Sequence, residues 1–263
     1  MILADYSIST LFALAFFAFL AGFIDAVAGG GGLIQLPAML VNLPNTLLPT
    51  IFGTNKIAAL SGTSIAAYRY GKRIKFSYPL LLIISFWSFV ASFLGAKTVS
   101  FMSPNILKPI VFVTLIAIAI YTFLNKNLGS VETKQLSLRK QMIYGSLFGF
   151  LIGFYDGFFG PGTGSLLLLG FVMILGFEFL QASAYSKIIN CVTNFSALIV
   201  FIRHGNFIPV IAIIMAIFNI TGNYLGSHMA LKRGNSFIRI IFLIVVTLLI
   251  IRYGYDVFMT FKF

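Results

Sequence analysis

Two acids and two bases in this chain sit where charged side chains are seldom placed. Asp25 lies in FIDAVAGGGGLIQLP (23–37) and Asp156 in GFYDGFFGPGTGS (153–165), so each is an acid followed by glycines within an apolar run. Lys56 and Lys187 follow their respective aspartates at the same spacing of 31 residues. Charge held in apolar surroundings must be paired, protonated or hydrated. One chemistry open to these residues is anion capture by the lysines, with the aspartates capping helices, relaying protons or coupling an ion. The plainer alternative is structural, an ion pair between Asp and Lys holding each half of the chain together. Both hold if an anion competes with Asp for Lys.

The elements around them must be membrane helices. With 59% hydrophobic and only 9% charged residues, the chain has too little polar surface to cover a soluble globule. Apolar runs over 8–23, 76–96 and 237–255 approach or reach the ~20 residues that cross a hydrocarbon core. The net charge of +12 falls largely in short hydrophilic breaks, which reads as positive-inside loops beside anionic lipid rather than as a nucleic-acid surface. Residues 1–24 contain no Lys or Arg, so the first run reads as a retained helix. In bilayer segments, an ionisable residue marks a functional site by default.

The acid–glycine motif is one part of a duplication. GFIDAVAGGGG (22–32) aligns with GFYDGFFGPGT (153–163) at an offset of 131 residues, and the same offset places Lys56 on Lys187 and Gly95 on Gly226. The expected architecture is an all-α polytopic membrane protein of two homologous repeats, residues 1–124 and 141–263, joined by a hydrophilic linker over 125–140. Each repeat reads as a helix, a glycine break, a short apolar segment (33–43; 164–177), a Lys-bearing helix (53–68; 184–202) and two longer helices. Those longer helices are expected near 76–96 and 108–124, then near 207–230 and 237–256. If the short segments cross the bilayer, each repeat has five passes and the repeats are inverted; if they re-enter, each has four and the repeats are parallel. Counts of Lys and Arg do not separate the two. The inverted, five-plus-five arrangement is preferred because it makes alternating access natural.

Glycine permits an unwound stretch whose N–H and C=O groups are available to a ligand. The helix that restarts after it presents free N–H donors and a positive dipole end, suited to a small anion. The candidate anion site therefore comprises Gly29, Gly30, Gly31, Gly32 and Gln35, with Gly160, Gly162, Thr163 and Ser165 from the second break. Around the lysines it adds Thr54, Asn55 and Lys56, and Lys187, Asn190 and Asn194, the two amides sharing a helical face. Asn219 and Asn223 are weaker candidates of the same kind. The pair Gly222 and Gly226 reads as close helix packing, and a GxxxG face makes a homodimer plausible.

Other classes are poorly supplied. No GK[ST] follows either glycine run, which argues against a phosphate loop. Two histidines, one cysteine (Cys191) and six acids form no clustered metal set and no catalytic constellation, so neither an enzyme nor a cofactor is expected. A carrier moving small anions at a midplane site leads, and a passive anion channel with the same polar groups is the alternative.

GFIDAVAGGGGLIQLPAML, GTNK (53–56), GFYDGFFGPGTGS and SKIIN (186–190) together resemble the TauE/SafE sulfite-exporter family of membrane permeases, most closely its YfcA-like branch. The resemblance covers nearly the whole chain. Departures are Pro161 and Thr163 in the second glycine run, and Ser186 where the first copy has Asn55. It implies a multi-pass inner-membrane transporter of sulfite, organosulfonates or similar small sulfur-containing or organic anions, coupled to an ion gradient.

Overall fold

The computed structural model describes residues 6–100 and 136–260. These form eight helices: α1 (Ile8–Ala28), α2 (Gly32–Asn42), α3 (Leu48–Gly71), α4 (Tyr78–Ser100), α5 (Leu138–Phe158), α6 (Thr163–Met173), α7 (Phe179–Arg203) and α8 (Pro209–Thr260). Four described segments are both long and apolar enough to cross a membrane: Ile8–Ala28, Tyr78–Val99, Phe179–Arg203 and Pro209–Ile238. The chain is a multi-pass membrane protein. The helix expected near 108–124 lies outside the described residues, as does most of the hydrophilic linker, whose last three residues already belong to α5. The two C-terminal helices expected from sequence run on as one element, α8, divided by non-helical backbone at Gly234 (φ 70°, ψ −159°).

Two apolar clusters mark the ends of the bundle. One gathers Ala26 and Val27 of α1, Ala66 and Tyr70 of α3, Leu80 and Ile84 of α4, Phe148 of α5 and Phe179 of α7. The other gathers Leu14 and Ala18, Leu48 and Ile51, Ala96 and Val99, Phe159, and Phe201 from the opposite ends of the same helices. It follows that α1 and α3 run one way while their sequence counterparts α5 and α7 run the other. Arg69, Lys72, Arg73 and Lys75 at the end of α3, with Arg139, Lys140, Lys232 and Arg233, sit at the first cluster's end, called the basic end below.

The short helices return the chain between the two ends of the bundle: Leu36 and Met39 of α2 join the far cluster, and Leu167 and Phe171 of α6 join the basic-end cluster. Each has 11 residues, about 16 Å at 1.5 Å per residue, half a hydrocarbon core. Each also folds back beside the helix that precedes it. Gly31 abuts Ala21 and Asp25, whereas Gln35, four residues on, shares Asn219 with the Ala18 carbonyl, so α2 runs antiparallel to α1. In the same way Phe171 of α6 packs edge-on against Phe148 of α5, with ring centroids 5.2 Å apart. α1 and α3 can run the same way because α2 brings the chain back between them, and α6 does the same between α5 and α7. The described chain passes from Val99 in the far cluster to Leu136 against the basic-end cluster, so residues 100 and 136 lie toward opposite ends.

The halves interlock through small residues. Gly226 of α8 lies against the Phe23 backbone of α1, and its counterpart Gly95 of α4 lies against the Phe154 backbone of α5. With little hydrophobic force between helices in lipid, close approach at glycine supplies the packing that holds such pairs. Gly222 likewise meets Phe19 and Phe23 of α1, so the Gly222/Gly226 face is occupied within the chain.

Candidate functional site

The two helix breaks cross each other. Gly29 (φ 74°) ends α1 and its N–H is bonded to the Asp25 carbonyl at 2.9 Å; Gly30 (φ 86°) follows in the left-handed region. A Cβ at Gly29 would overlap the Gly164 and Ser165 backbone of the other half, and one at Gly164 would lie 2.9 Å from Gly29 Cα. Glycine is needed here for both reasons at once, dihedral and contact. In the second break Gly160 (φ 94°) and Gly162 (φ 82°) turn the chain. Thr163 Oγ1 donates to the Gly160 carbonyl at 2.7 Å, and Tyr155 Oη donates to the Pro161 carbonyl at 2.6 Å. The helix starts of α2 and α6 border one cavity of about 30 Å³, and the Leu33 and Ile34 N–H groups of α2 already donate to the Gly30 and Gly31 carbonyls at 2.9 and 3.0 Å. That volume suits one or two waters.

The buried charges pair across the halves. Lys56 Nζ lies 2.7 Å from Asp156 Oδ2, and Lys187 Nζ lies 3.2 Å from Asp25 Oδ1 while also donating to the Asp25 main-chain carbonyl. The expectation of an ion pair within each repeat is thus corrected. Each lysine is carried by the long helix that follows the short one, α3 or α7, and reaches the other half's aspartate. Both pairs are almost wholly buried, where removing one partner strands a charge.

Among the described residues, Lys56 is the one lysine that lines the cavity. Lys56, Asn55, Asp25, Asp156, Gln35, Asn190 and Asn194 line it, with Gly30, Gly31, Gly32, Gly160, Gly162 and Thr163. Four expected site residues do not. Lys187 lies behind Asp25. Thr54 donates to the Thr50 carbonyl and accepts from Ile208 N at 2.9 Å, tying α3 to the approach to α8. Gly29 and Ser165 belong to the crossing, Ser165 Oγ donating to the Ala28 carbonyl at 3.2 Å.

The cavity also holds residues that the candidate set lacks: Ala59, Thr63, Gly164 and Asn219, the last rated only a weaker candidate. Thr63 Oγ1 donates to Asp25 Oδ2 at 2.9 Å. Two of these are reachable from the duplication, since the 131-residue offset maps Asn190 and Asn194 onto Ala59 and Thr63. Asn219 Nδ2 donates to Gln35 Oε1 at 2.7 Å, which fixes the Gln35 amide and leaves its buried Nε2 without a partner. Asn55 Oδ1 is likewise buried and unpartnered. Unmet polar capacity of this kind is costly in a bare cavity and calls for a ligand or water. Among the described residues no three His, Cys, Asp or Glu side chains cluster as a metal site.

The comparisons with known proteins agree with one another. The family model described as "Sulfite exporter TauE/SafE" matches residues 14–253. A "Probable membrane transporter protein ORF9" of a Sinorhizobium species is 38% identical over 236 residues, covering 89% of this chain and 88% of the relative. A "Probable membrane transporter protein" of Haemophilus influenzae is 32% identical over 253 residues, covering 96% and 97%. The "Probable membrane transporter protein YfcA" of Escherichia coli K12 is 33% identical over 250 residues, covering 92% and 89%. No solved structure matches the chain. By the extent of these matches, and with the doubled acid–glycine motif that carries its central cavity, the chain belongs to the TauE/SafE sulfite exporter family.

Proposed function

We propose that this protein is a secondary transporter of small anions, of the sulfite or organosulfonate class, whose binding site is the cavity between the crossed helix breaks. The observation that carries this reading is convergence: two helix starts, the Lys56 ammonium and the unpartnered Gln35 Nε2 donor all border one cavity at the junction of the halves. Helix starts and an ammonium both favour negative charge. The printed names of the relatives, probable membrane transporters, support the broader class.

In the proposed cycle an anion enters, takes Lys56 from Asp156 and fills the unmet amide groups. A cavity of about 30 Å³ must widen to admit it, and a site that opens as the anion enters favours a carrier over a channel. The opposed directions of α1 and α5 are read as inverted repeats, so that rocking of one half against the other exposes the same site to either side. The basic end faces the cytoplasm under the positive-inside rule, which puts the start of α1 outside.

Counterflow in proteoliposomes tests the proposal. Internal sulfite or sulfoacetate should accelerate entry of the labelled anion, and Lys56→Ala should abolish that flux in protein that still folds. Flux without trans-stimulation would identify a channel, and full activity in Lys56→Ala would remove this cavity from the pathway.

A further inference from the structure

The seam between α3 and α8 widens at the basic end into a second cavity of about 440 Å³, bordered by Tyr68, Arg69, Lys72, Arg73, His228 and Lys232. The transport site does not use it. Four of these side chains are basic, and among the described residues no acid lines the space.

Two of the cations are held by aromatic rings. The Arg69 guanidinium lies 4.2 Å from the Tyr224 ring centroid, and Lys72 Nζ lies 4.3 Å from that of Tyr68. Arg69 Nη2 is also 3.1 Å from His228 Nδ1. A guanidinium only donates, so Nδ1 is the acceptor in that contact. The groups are thereby fixed close together despite the mutual repulsion of the cations, which an anion would relieve.

The place of the cavity indicates which anion. Tyr68 and Tyr224 are 62% and 52% exposed, and Leu225 beside them is 46% exposed. On helices that cross a membrane such faces meet lipid, and tyrosines favour the depth of the headgroups. The mouth therefore opens sideways at the cytoplasmic interface, where basic pockets between helices receive anionic headgroups. We propose that this cavity binds the phosphate of an anionic phospholipid, which then bridges α3 and α8. Its failure would leave the transport site untouched, since the two cavities share no lining residue.

Thermal unfolding of the purified full chain in mixed micelles reads the effect. Phosphatidylglycerol should raise the midpoint by roughly 5 °C at saturating lipid, and phosphatidylcholine should not. The triple variant Lys72→Ala, Arg73→Ala, Lys232→Ala should lose that shift, whereas Arg139→Ala with Lys140→Ala, at the same end but outside the cavity, should keep it. An undiminished shift in the triple variant, or an equal loss in the control, overturns the site. A shift of the same size with inorganic phosphate or sulfite alone overturns the lipid assignment in favour of a free anion. Should the triple variant not fold, mass spectrometry of delipidated wild-type protein decides: preferential retention of phosphatidylglycerol supports the site and equal retention of both lipids overturns it.

Discussion

Asp25 and Asp156 occupy equivalent places in the two halves, yet their surroundings differ. Asp25 receives Lys187 at both its carboxylate and its carbonyl, and Thr63 bonds its second oxygen. Asp156 pairs with Lys56, and Asn194, the counterpart of Thr63, turns instead to Asn190 at 2.7 and 3.0 Å. In one pair the aspartate alone borders the cavity with its lysine behind it, while in the other both the aspartate and the lysine border it. Duplication supplied two like sites. At counterpart positions Thr63 bonds the aspartate of its own half, whereas Asn194 bonds Asn190.

The largest expected effect that could break this comparison is on folding. Lys187→Ala should cost about 3–5 kcal/mol by stranding Asp25, read as lost yield and a lower unfolding midpoint, with Asp25→Ala recovering much of the loss in the double variant. Lys56→Ala with Asp156→Ala should also recover stability but not anion flux. Double-mutant cycles sharpen the point: Asp25 should couple to Lys187 and not to Lys56. Coupling within a repeat would refute the crossed pairing.

Next in size is the crossing itself. Gly29→Ala meets both a positive φ and the Gly164 backbone, so about 2–4 kcal/mol of strain and overpacking is expected. Gly205→Ala has a similar φ of 67° but open space around it, and should cost only about 1 kcal/mol. Equal losses in denaturation of the two variants would show that the breaks do not touch.

The smallest change tests the Asp25 pair directly. Thr63→Val removes one hydrogen bond to Asp25 and should cost about 1–2 kcal/mol, whereas Asn194→Val, lacking any carboxylate partner, should alter anion affinity more than stability. The reverse pattern, from unfolding and binding measurements on the two proteins, would exchange the roles assigned to the halves.

Much of the site is legible in sequence because its residues are rare for their surroundings. Asp, Lys and glycine runs stand out against apolar segments, and the 131-residue offset matches them in pairs. Thr54 misleads because a hydroxyl beside Lys56 has the right type, but on another side of the helix it bonds to the backbone of a neighbouring segment instead. Thr63 is easily missed because it is seven residues from Lys56, although seven residues return to the same helical face.

Membrane class, helix breaks, the duplication and the identity of the buried charges were determined by the sequence alone, since each depends on residue type and spacing along one chain. Only the tertiary structure decided that the short helices turn back, that lysine and aspartate pair between halves, and that Lys56 lines the cavity. Apolar faces in a bilayer are nearly interchangeable to a reader of sequence. Which of them meet is settled by where glycine lets two backbones touch, and that contact lies between residues far apart along the chain, 59 positions for Gly95 and Phe154 and 135 for Gly29 and Gly164.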